Sequence, residues 1–152
     1  MNKITPFLWF DAQAEEAMNL YVSIFKNSKV NNISRGPDGQ AFVVSFELDG
    51  QEFMGLNAGP QFKFNEAVSM YVDCKDQAEV DYFWNALTAN GGEESMCGWL
   101  KDKYGLSWQI IPKQLTELMG DPDPVKAKRV TDAMLKMQKI IVADLQKAYE
   151  GK

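Results

Sequence analysis

The amino-acid sequence predicts an α+β protein with two tandem βαβββ modules and a helical C-terminal extension. Three observations lead to this prediction: the order of one strand, one helix and three strands occurs twice, the two copies align at fixed offsets, and an amphipathic helical segment follows them. We expect a single domain over residues 1–152, with the first module at 1–62, the second module at 63–112 and the extension at 113–152.

The first module starts with an apolar stretch that predicts a strand. In the next segment apolar residues recur at helical spacing, as Ala14, Met18 and Tyr21 do. Asp49-Gly50 lies between two apolar runs and is a strong signal for a hairpin turn. The predicted elements are a strand at 4–10, a helix at 12–25 and strands at 29–35, 42–48 and 52–57.

The second module repeats this order. Asp76 stands where its helix needs an N-cap, and Gly91-Gly92 is typical of a helix end. The predicted elements are a strand at 68–72, a helix at 77–90 and short strands at 94–97, 98–102 and 107–111.

The two modules can be aligned residue by residue. An offset of 62 positions aligns Phe10 with Val72 and Tyr21 with Phe83, in the first strand and the helix. An offset of 55 positions aligns the final hairpins and pairs Gly50 with Gly105, Phe53 with Trp108 and Leu56 with Ile111. Apolar character is kept at each apolar pair, as expected of an internal structural repeat.

The extension has a different pattern. It predicts a short helix at 114–119, a break at 120–124 and a long helix at 125–151 that kinks near Lys139, where the apolar stripe changes phase. The stripe that should dock against the modules consists of Val130, Ala133, Met134, Met137, Ile141, Leu145 and Ala148.

The composition limits the partners. The chain of 152 residues is 45% apolar, enough to bury about 70% of the surface that its unfolded form exposes. Its 21 acidic side chains outnumber 16 basic ones, for a net charge of −5. This disfavours nucleic acid and anionic membranes, because both require clustered positive charge. We expect a small molecule or another protein instead.

The sequence contains no histidine and only two cysteines. The usual general base, the commonest zinc ligand and the Ser–His and Cys–His pairs are therefore excluded. Cys74 and Cys97 belong to no C-x-x-C motif, so we expect two reduced thiols. Since the apolar stretch at 4–10 is too short for a signal peptide or a membrane span, we expect a cytoplasmic protein.

Three runs of residues carry a resemblance to a known family: ITPFLWFD at 4–11, NAGPQFKFNE at 57–66 and CGWLKDKYGLSWQIIP at 97–112, with DPDP at 121–124. They resemble the PhnB-like family of the glyoxalase/bleomycin resistance/dioxygenase (vicinal oxygen chelate) superfamily. The resemblance implies two βαβββ modules in each chain and a homodimer. Members often carry the name 3-demethylubiquinone-9 3-methyltransferase.

The resemblance also implies places for a metal. Metal-using relatives take four ligands, typically His or Glu, from the first and last strands of each module. The corresponding places here are near Ile4 or Thr5, at Met54, near Glu66 or Ala67, and at Gln109. Because this set supplies at most one carboxylate and one amide, we expect no metal site, and we expect no cofactor. The eleven glycines contain no G-x-G turn, which disfavours methyl transfer.

Aromatic and polar residues on the predicted strands indicate a binding pocket. Strand parity places Ser107, Gln109 and Ile111 on one face and Trp108 and Ile110 on the other. An apolar cup with a few hydroxyl and amide groups suits an aromatic or amphipathic small molecule. The candidate pocket residues are Trp9, Met54, Ser69, Tyr71, Cys97, Trp99, Ser107 and Gln109.

Several alternatives stay open. Gln109 either lines the pocket or is satisfied by the neighbouring strand, and Cys97 is either a buried thiol or a nucleophile. The segment Phe62-Lys63-Phe64 is either a dimer contact, which we favour, or a lid. The chain is either a metal-free binding protein or an enzyme of the superfamily that uses Glu66 with Gln109, or Cys97. Methyl transfer, as in the name that relatives carry, is the third reading.

Overall fold

The computed structural model describes residues 2–152, which form two compact units. The first unit ends at Phe64 and the second begins at Asn65. The predicted fold class is confirmed, because each unit contains the order βαβββ and a four-stranded mixed sheet. No helix among the described residues is long and apolar enough to cross a lipid bilayer.

In the first unit, residues 2–64 contain one helix and four strands. In its sheet the order is β1-β4-β3-β2, with β1 parallel to β4 and the other neighbours antiparallel. The predicted start of the first strand is three residues early, since Pro6 lacks an N–H and pairing begins at Phe7. The elements are β1 (Phe7–Phe10), α1 (Ala14–Ile24), β2 (Lys29–Arg35), β3 (Ala41–Leu48) and β4 (Gln51–Asn57).

One face of this sheet packs against α1 and forms the core of the unit. Met18 and Tyr21 of α1 are buried, and the Tyr21 ring lies 6.4 Å from that of Phe46. Phe46 stacks on Phe53 of the neighbouring strand at 5.5 Å between ring centroids. The predicted hairpin at Asp49-Gly50 is confirmed: both residues have positive φ, 48° and 79°, which a two-residue hairpin turn requires.

The second unit begins with the same architecture. Its sheet has the order β5-β8-β7-β6, with β5 parallel to β8. Asp76 caps its helix as predicted, with its Oδ1 accepting a hydrogen bond from the Glu79 N–H at 2.9 Å. The elements are β5 (Ser69–Cys74), α2 (Gln77–Thr88), β6 (Glu93–Glu94), β7 (Trp99–Lys101) and β8 (Ser107–Pro112).

The strand predicted at 94–97 is wrong beyond Glu94. Cys97 and Gly98 both have positive φ, 61° and 83°, and the Trp99 N–H donates to the Met96 carbonyl, so the chain turns there. A Cβ on Gly98 would lie 2.8 Å from Cδ1 of Ile111. Only glycine fits this close approach with this backbone conformation.

The extension belongs to the second unit and contains three helices: α3 (Lys113–Met119), α4 (Pro124–Met134) and α5 (Val142–Glu150). The single kinked helix predicted at 125–151 is wrong, because residues 135–141 are not helical. The carbonyls of Met137 and Gln138 instead accept hydrogen bonds from the N–H groups of Cys97 and Gly98, at 2.7 and 2.8 Å.

Hydrogen bonds of Gln77 and a buried cluster also join the extension to the rest of the second unit. The Gln77 side chain of α2 donates to the Ile140 carbonyl at 3.0 Å and accepts from the Val142 N–H at 2.7 Å. Ile140, rather than the predicted Ile141, is fully buried in a cluster with Ile111, Leu115, Val130 and Leu145. The extension therefore completes a second core beside strand β8.

Candidate functional site

Six residues share the face of the second sheet that lies opposite α2. The strand register places Lys101, Ser107 and Ser69 in one row, and Trp99, Gln109 and Tyr71 in the next. Their neighbours in sequence, among them Leu100, Trp108 and Ile110, are buried on the opposite face. We call these six residues the Gln109 face. It includes five of the eight candidate pocket residues from the sequence analysis.

The Gln109 side chain spans the two rows. Its Nε2 donates a hydrogen bond to the Ser69 Oγ at 2.9 Å, across the parallel pair β5 and β8. Its Oε1 accepts no hydrogen bond from residues 2–152. One end of the amide is therefore satisfied by the neighbouring strand, while the other retains an acceptor for a ligand.

Ser107 has an unusual hydroxyl group. The residue is 1% exposed, and its Oγ has no hydrogen-bond partner within the described part of the chain. An unsatisfied buried hydroxyl costs about 1–3 kcal/mol relative to a satisfied one. The register places this hydroxyl between Lys101 and Ser69, so the unmet hydrogen bond belongs to the Gln109 face.

Lys101 forms an ion pair at the edge of this face. Its Nζ lies 3.1 Å from Oε1 of Glu66, whose side chain is 65% exposed. The hydrogen bond from Lys101 is the main cause that lowers the pKa of the Glu66 carboxyl below its usual value, helped by a backbone hydrogen bond. Exposed pairs of this kind contribute little to stability, so Glu66 can leave Lys101 at small cost.

Two aromatic side chains lie on either side of Gln109 in its row. Tyr71 is 55% exposed, and Trp99 is partly buried. Tyr71 also lines a groove of about 330 Å³ that runs towards α3, together with Asp73, Lys113, Thr116 and Glu117. The face thus offers aromatic surface around a central amide and hydroxyl pair, a combination found in sites for small organic ligands.

The remaining candidate pocket residues lie elsewhere. Trp9 and Met54 are in the first unit, on the sheet face opposite α1. The Trp9 Nε1 donates to the Gly59 carbonyl at 2.9 Å, and its ring meets that of Phe62 edge-on at 4.8 Å. Phe64 packs similarly against Phe10 at 5.4 Å.

The sequence analysis placed Cys97 on a strand. In the structure Cys97 instead occupies the turn before β7. Its backbone N–H is bonded to the Met137 carbonyl of the extension. Both cysteines are free thiols, as predicted. Burial, with the charges of Glu79 and Asp73 adding to it, raises the pKa of the Cys74 thiol to about 12.

The side chains at the expected metal positions do not suit a divalent cation. Ile4 and Thr5 precede the first strand, so Phe7 is the β1 residue opposite Met54. Glu66 pairs with Lys101, while Ser69, rather than Glu66 or Ala67, contacts Gln109. A hydroxyl and a neutral amide are weak ligands, and no group of three or more His, Cys, Asp or Glu among residues 2–152 could hold a metal ion.

Sequence reasoning did not include Lys101 in the site. The alternation of Trp99, Leu100 and Lys101 nevertheless places Trp99 and Lys101 on one face of a strand. The partner Glu66 is far away in sequence and precedes β5, so no local pattern connects the two residues.

Comparisons with known proteins identify the family. The family model described as 3-demethylubiquinone-9 3-methyltransferase matches residues 2–111. A Bacillus cereus protein, described as a putative 3-demethylubiquinone-9 3-methyltransferase and PhnB protein, is 38% identical, with a TM-score of 0.69; the match covers 73% of this chain and 99% of that one. No curated protein matches the chain.

Two less similar structures share the fold alone. A Pseudomonas aeruginosa protein is 17% identical with a TM-score of 0.61, and the match covers 74% of this chain and 98% of that one. A variant of a fosfomycin resistance protein from Listeria monocytogenes, complexed with Mn(II), is 13% identical with a TM-score of 0.50, over 71% of this chain and 90% of that one. The family match and the 38% identity together show that the chain belongs to the PhnB-like, 3-demethylubiquinone-9 3-methyltransferase family.

Proposed function

We propose that this protein binds a small aromatic or amphipathic organic molecule on the Gln109 face, without a metal ion. The observation that carries the proposal is the Gln109–Ser69 hydrogen bond at 2.9 Å in the middle of a face bordered by Tyr71 and Trp99. Aromatic side chains supply contact area for a ring, and a few fixed polar groups orient it.

The donor set supports the metal-free part of the proposal. A cation that polarises a substrate or activates water needs several anionic or imidazole ligands on one side. In the first unit the corresponding positions carry Phe7 and Met54. In the second unit they carry Ser69 and Gln109, and the Glu66 carboxylate of the expected set is already engaged with Lys101. Binding by ring contacts and hydrogen bonds uses the groups that are present.

The family description suggests methyl transfer, but the chain's own residues do not favour it. A dinucleotide or nucleoside cofactor in a Rossmann-type site sits on a glycine-rich turn between a strand and a helix. Here the turn from β1 to α1 is Asp11-Ala12-Gln13, and the turn from β5 to α2 is Lys75-Asp76, so neither contains glycine. Among residues 2–152, no contact favours catalysis by Glu66 with Gln109, or by Cys97.

We also propose that the protein is a homodimer, as its resemblance to the PhnB-like family implies. The exposed aromatic side chains of Phe62 and Phe42 in the first unit, 59% and 53% exposed, would be covered by a second copy. Analytical ultracentrifugation of the wild type and of Phe62→Ser tests this. A dimer that weakens in the variant supports the proposal, and a wild-type monomer at micromolar concentration rejects it.

The first test of the binding proposal is native mass spectrometry with elemental analysis of untagged protein. An organic mass retained without stoichiometric metal supports it, whereas one divalent ion per chain overturns its metal-free part.

The second test is calorimetric titration with naphthoate and naphthylmethanol. We expect Tyr71→Ala to weaken binding about tenfold and the matched variant Tyr82→Ala, at a similarly exposed tyrosine on α2, to leave it unchanged. Equal losses in both variants would place the ligand elsewhere.

A further inference from the structure

We infer that the ligand of the Gln109 face is an aromatic carboxylate, with its ring beside Tyr71 and Trp99 and its carboxylate at Lys101 and Ser107. This inference rests on the proposed function and adds to it the chemical class and the orientation of the ligand. Four features of the face support it: a cation at one end, a carboxylate already bound there, a buried hydroxyl without a partner, and an acidic group at the other end.

Lys101 supplies the positive charge. It is the basic member of the face, in the same row as Ser107 and Ser69 and one row away from the aromatic pair. Its side chain is 34% exposed, so its ammonium group is partly shielded from water and yet accessible. In a protein of net charge −5, a local cation beside aromatic surface selects an anionic ligand against the overall field of the protein.

Glu66 shows that a carboxylate fits at Lys101. Its Oε1 lies 3.1 Å from the ammonium nitrogen, while the rest of its side chain is largely in solvent. Glu66 precedes β5 and is not held in a strand. An incoming carboxylate can therefore replace Glu66 at Lys101 and form the same charge-assisted hydrogen bond.

Ser107 supplies the hydrogen bond that a carboxylate would complete. Its hydroxyl is buried, lacks a partner among residues 2–152 and stands next to Lys101 in the row. A carboxylate has two oxygens, so one can accept from Lys101 and the other from Ser107. A neutral alcohol or an amine cannot serve both donors with charge-assisted bonds.

Acidic groups on the same side of the sheet fix the orientation. Asp73 lies on the same face of β5 as Tyr71, beyond it and away from Lys101. In the groove at that end Asp73 and Glu117 outnumber Lys113, so the net charge there is negative and disfavours a ligand carboxylate. The acid group is thus expected at Lys101 and the ring towards Tyr71.

Three probes of matched shape test the inference: naphthoate, naphthylmethanol and naphthylmethylammonium. Calorimetric titration is expected to show naphthoate binding about tenfold tighter than either other probe. The NMR signal of the Trp99 indole N–H serves as a local reporter of binding at the face. Equal affinity of naphthoate and naphthylmethanol overturns the inference but leaves the proposed function standing. Binding of none of the three at about 1 mM overturns the proposed function itself.

Charge variants separate a direct role from a structural one. Lys101→Met is expected to abolish the preference for naphthoate, and Lys101→Arg is expected to retain it. The control is Lys75→Met, which removes a lysine outside the Gln109 face and is expected to leave the preference unchanged. Glu66→Gln is expected to tighten naphthoate about threefold, since the competing carboxylate is gone. A preference that persists in Lys101→Met, or a weaker naphthoate affinity in Glu66→Gln, would contradict the assignment.

Discussion

The side chain of Asn57, at the end of β4, caps the start of α1 by accepting a hydrogen bond from the Ala14 N–H at 2.8 Å. The residue in the N-cap position, Gln13, makes no side-chain cap of its own. Asn57 also donates to the Ala41 carbonyl at 3.0 Å. One amide, 43 positions away in sequence, therefore joins the helix to two strands of the first sheet.

Asn57→Ala is expected to lower the free energy of unfolding by about 1–2 kcal/mol, because the helix loses its cap and the Ala41 carbonyl its donor. Urea denaturation measures the change. Asn19→Ala, an exposed position in the middle of α1, serves as the control and is expected to change stability by less than about 0.5 kcal/mol. Equal effects of the two substitutions would mean that the cap contributes nothing.

Gly98→Ala is expected to lower the free energy of unfolding by about 2–4 kcal/mol. Part of this loss arises because a residue with a Cβ must adopt the left-handed backbone conformation, and part arises because that Cβ clashes with Ile111. Gly39 has nearly the same φ, 80°, but open space around its missing Cβ. Gly39→Ala should therefore show only the backbone part of the cost, about 1–2 kcal/mol. Thermal unfolding of both variants measures the two losses, and their difference is the cost of the clash with Ile111. Identical losses would show that the clash costs nothing.

Gln77→Leu is expected to loosen the segment at 135–141, since Ile140 and Val142 lose their hydrogen-bond partner. Hydrogen exchange at the Val142 amide should become faster, and limited proteolysis should begin between α4 and α5. Gln146→Leu changes an exposed glutamine on α5 and is the matched control. Unchanged exchange at Val142 would show that the buried cluster alone holds the extension.

Alkylation by iodoacetamide should distinguish the native from the unfolded protein at Cys74. Burial raises the pKa of its thiol to about 12, so the folded protein should not present a thiolate at pH 8. The unfolded chain loses this proton at lower pH, and Cys74 therefore destabilises the fold as the pH rises above about 8.5. Rapid labelling of Cys74 in a folded Cys97→Ser variant would contradict this environment.

S-adenosylmethionine is expected not to bind. Calorimetric titration to about 1 mM cofactor should give no saturable heat, because neither strand-to-helix turn carries the glycines that receive such a cofactor. Sinefungin, an unreactive analogue, repeats the test without turnover. A saturable isotherm with either compound would favour the methyltransferase reading of the family description over the binding reading.

Local patterns were sufficient to predict most of the fold. The helical spacing of Met18 and Tyr21, the Asp49-Gly50 turn and the Asp76 cap each depend on neighbours in sequence, and each was predicted. The turn at Cys97 was missed because a non-glycine residue with positive φ has no clear signature in sequence. The break at 135–141 depends on distant partners, Cys97 and Gly98, which periodicity cannot reveal.

The candidate site was predictable to a similar degree. Strand parity placed Ser107 and Gln109 on one face, because alternation is fixed by the geometry of a strand. The Lys101–Glu66 pair was not foreseen, since it joins β7 to the residues before β5 and depends on tertiary structure. The position of Cys97 was predicted wrongly, because the strand predicted at 94–97 ends at Glu94.

The buried cluster around Ile111 also bears on how the protein folds during synthesis. Ile111 ends the segment that matches the family model, but Leu145, which completes its packing, leaves the ribosome 34 residues later. Until then the apolar side of β8 lacks its full cover, and until Met137 and Gln138 are made the N–H groups of Cys97 and Gly98 lack their acceptors. A nascent chain between these points exposes an apolar surface, and such surfaces favour aggregation until the rest of the extension has been made.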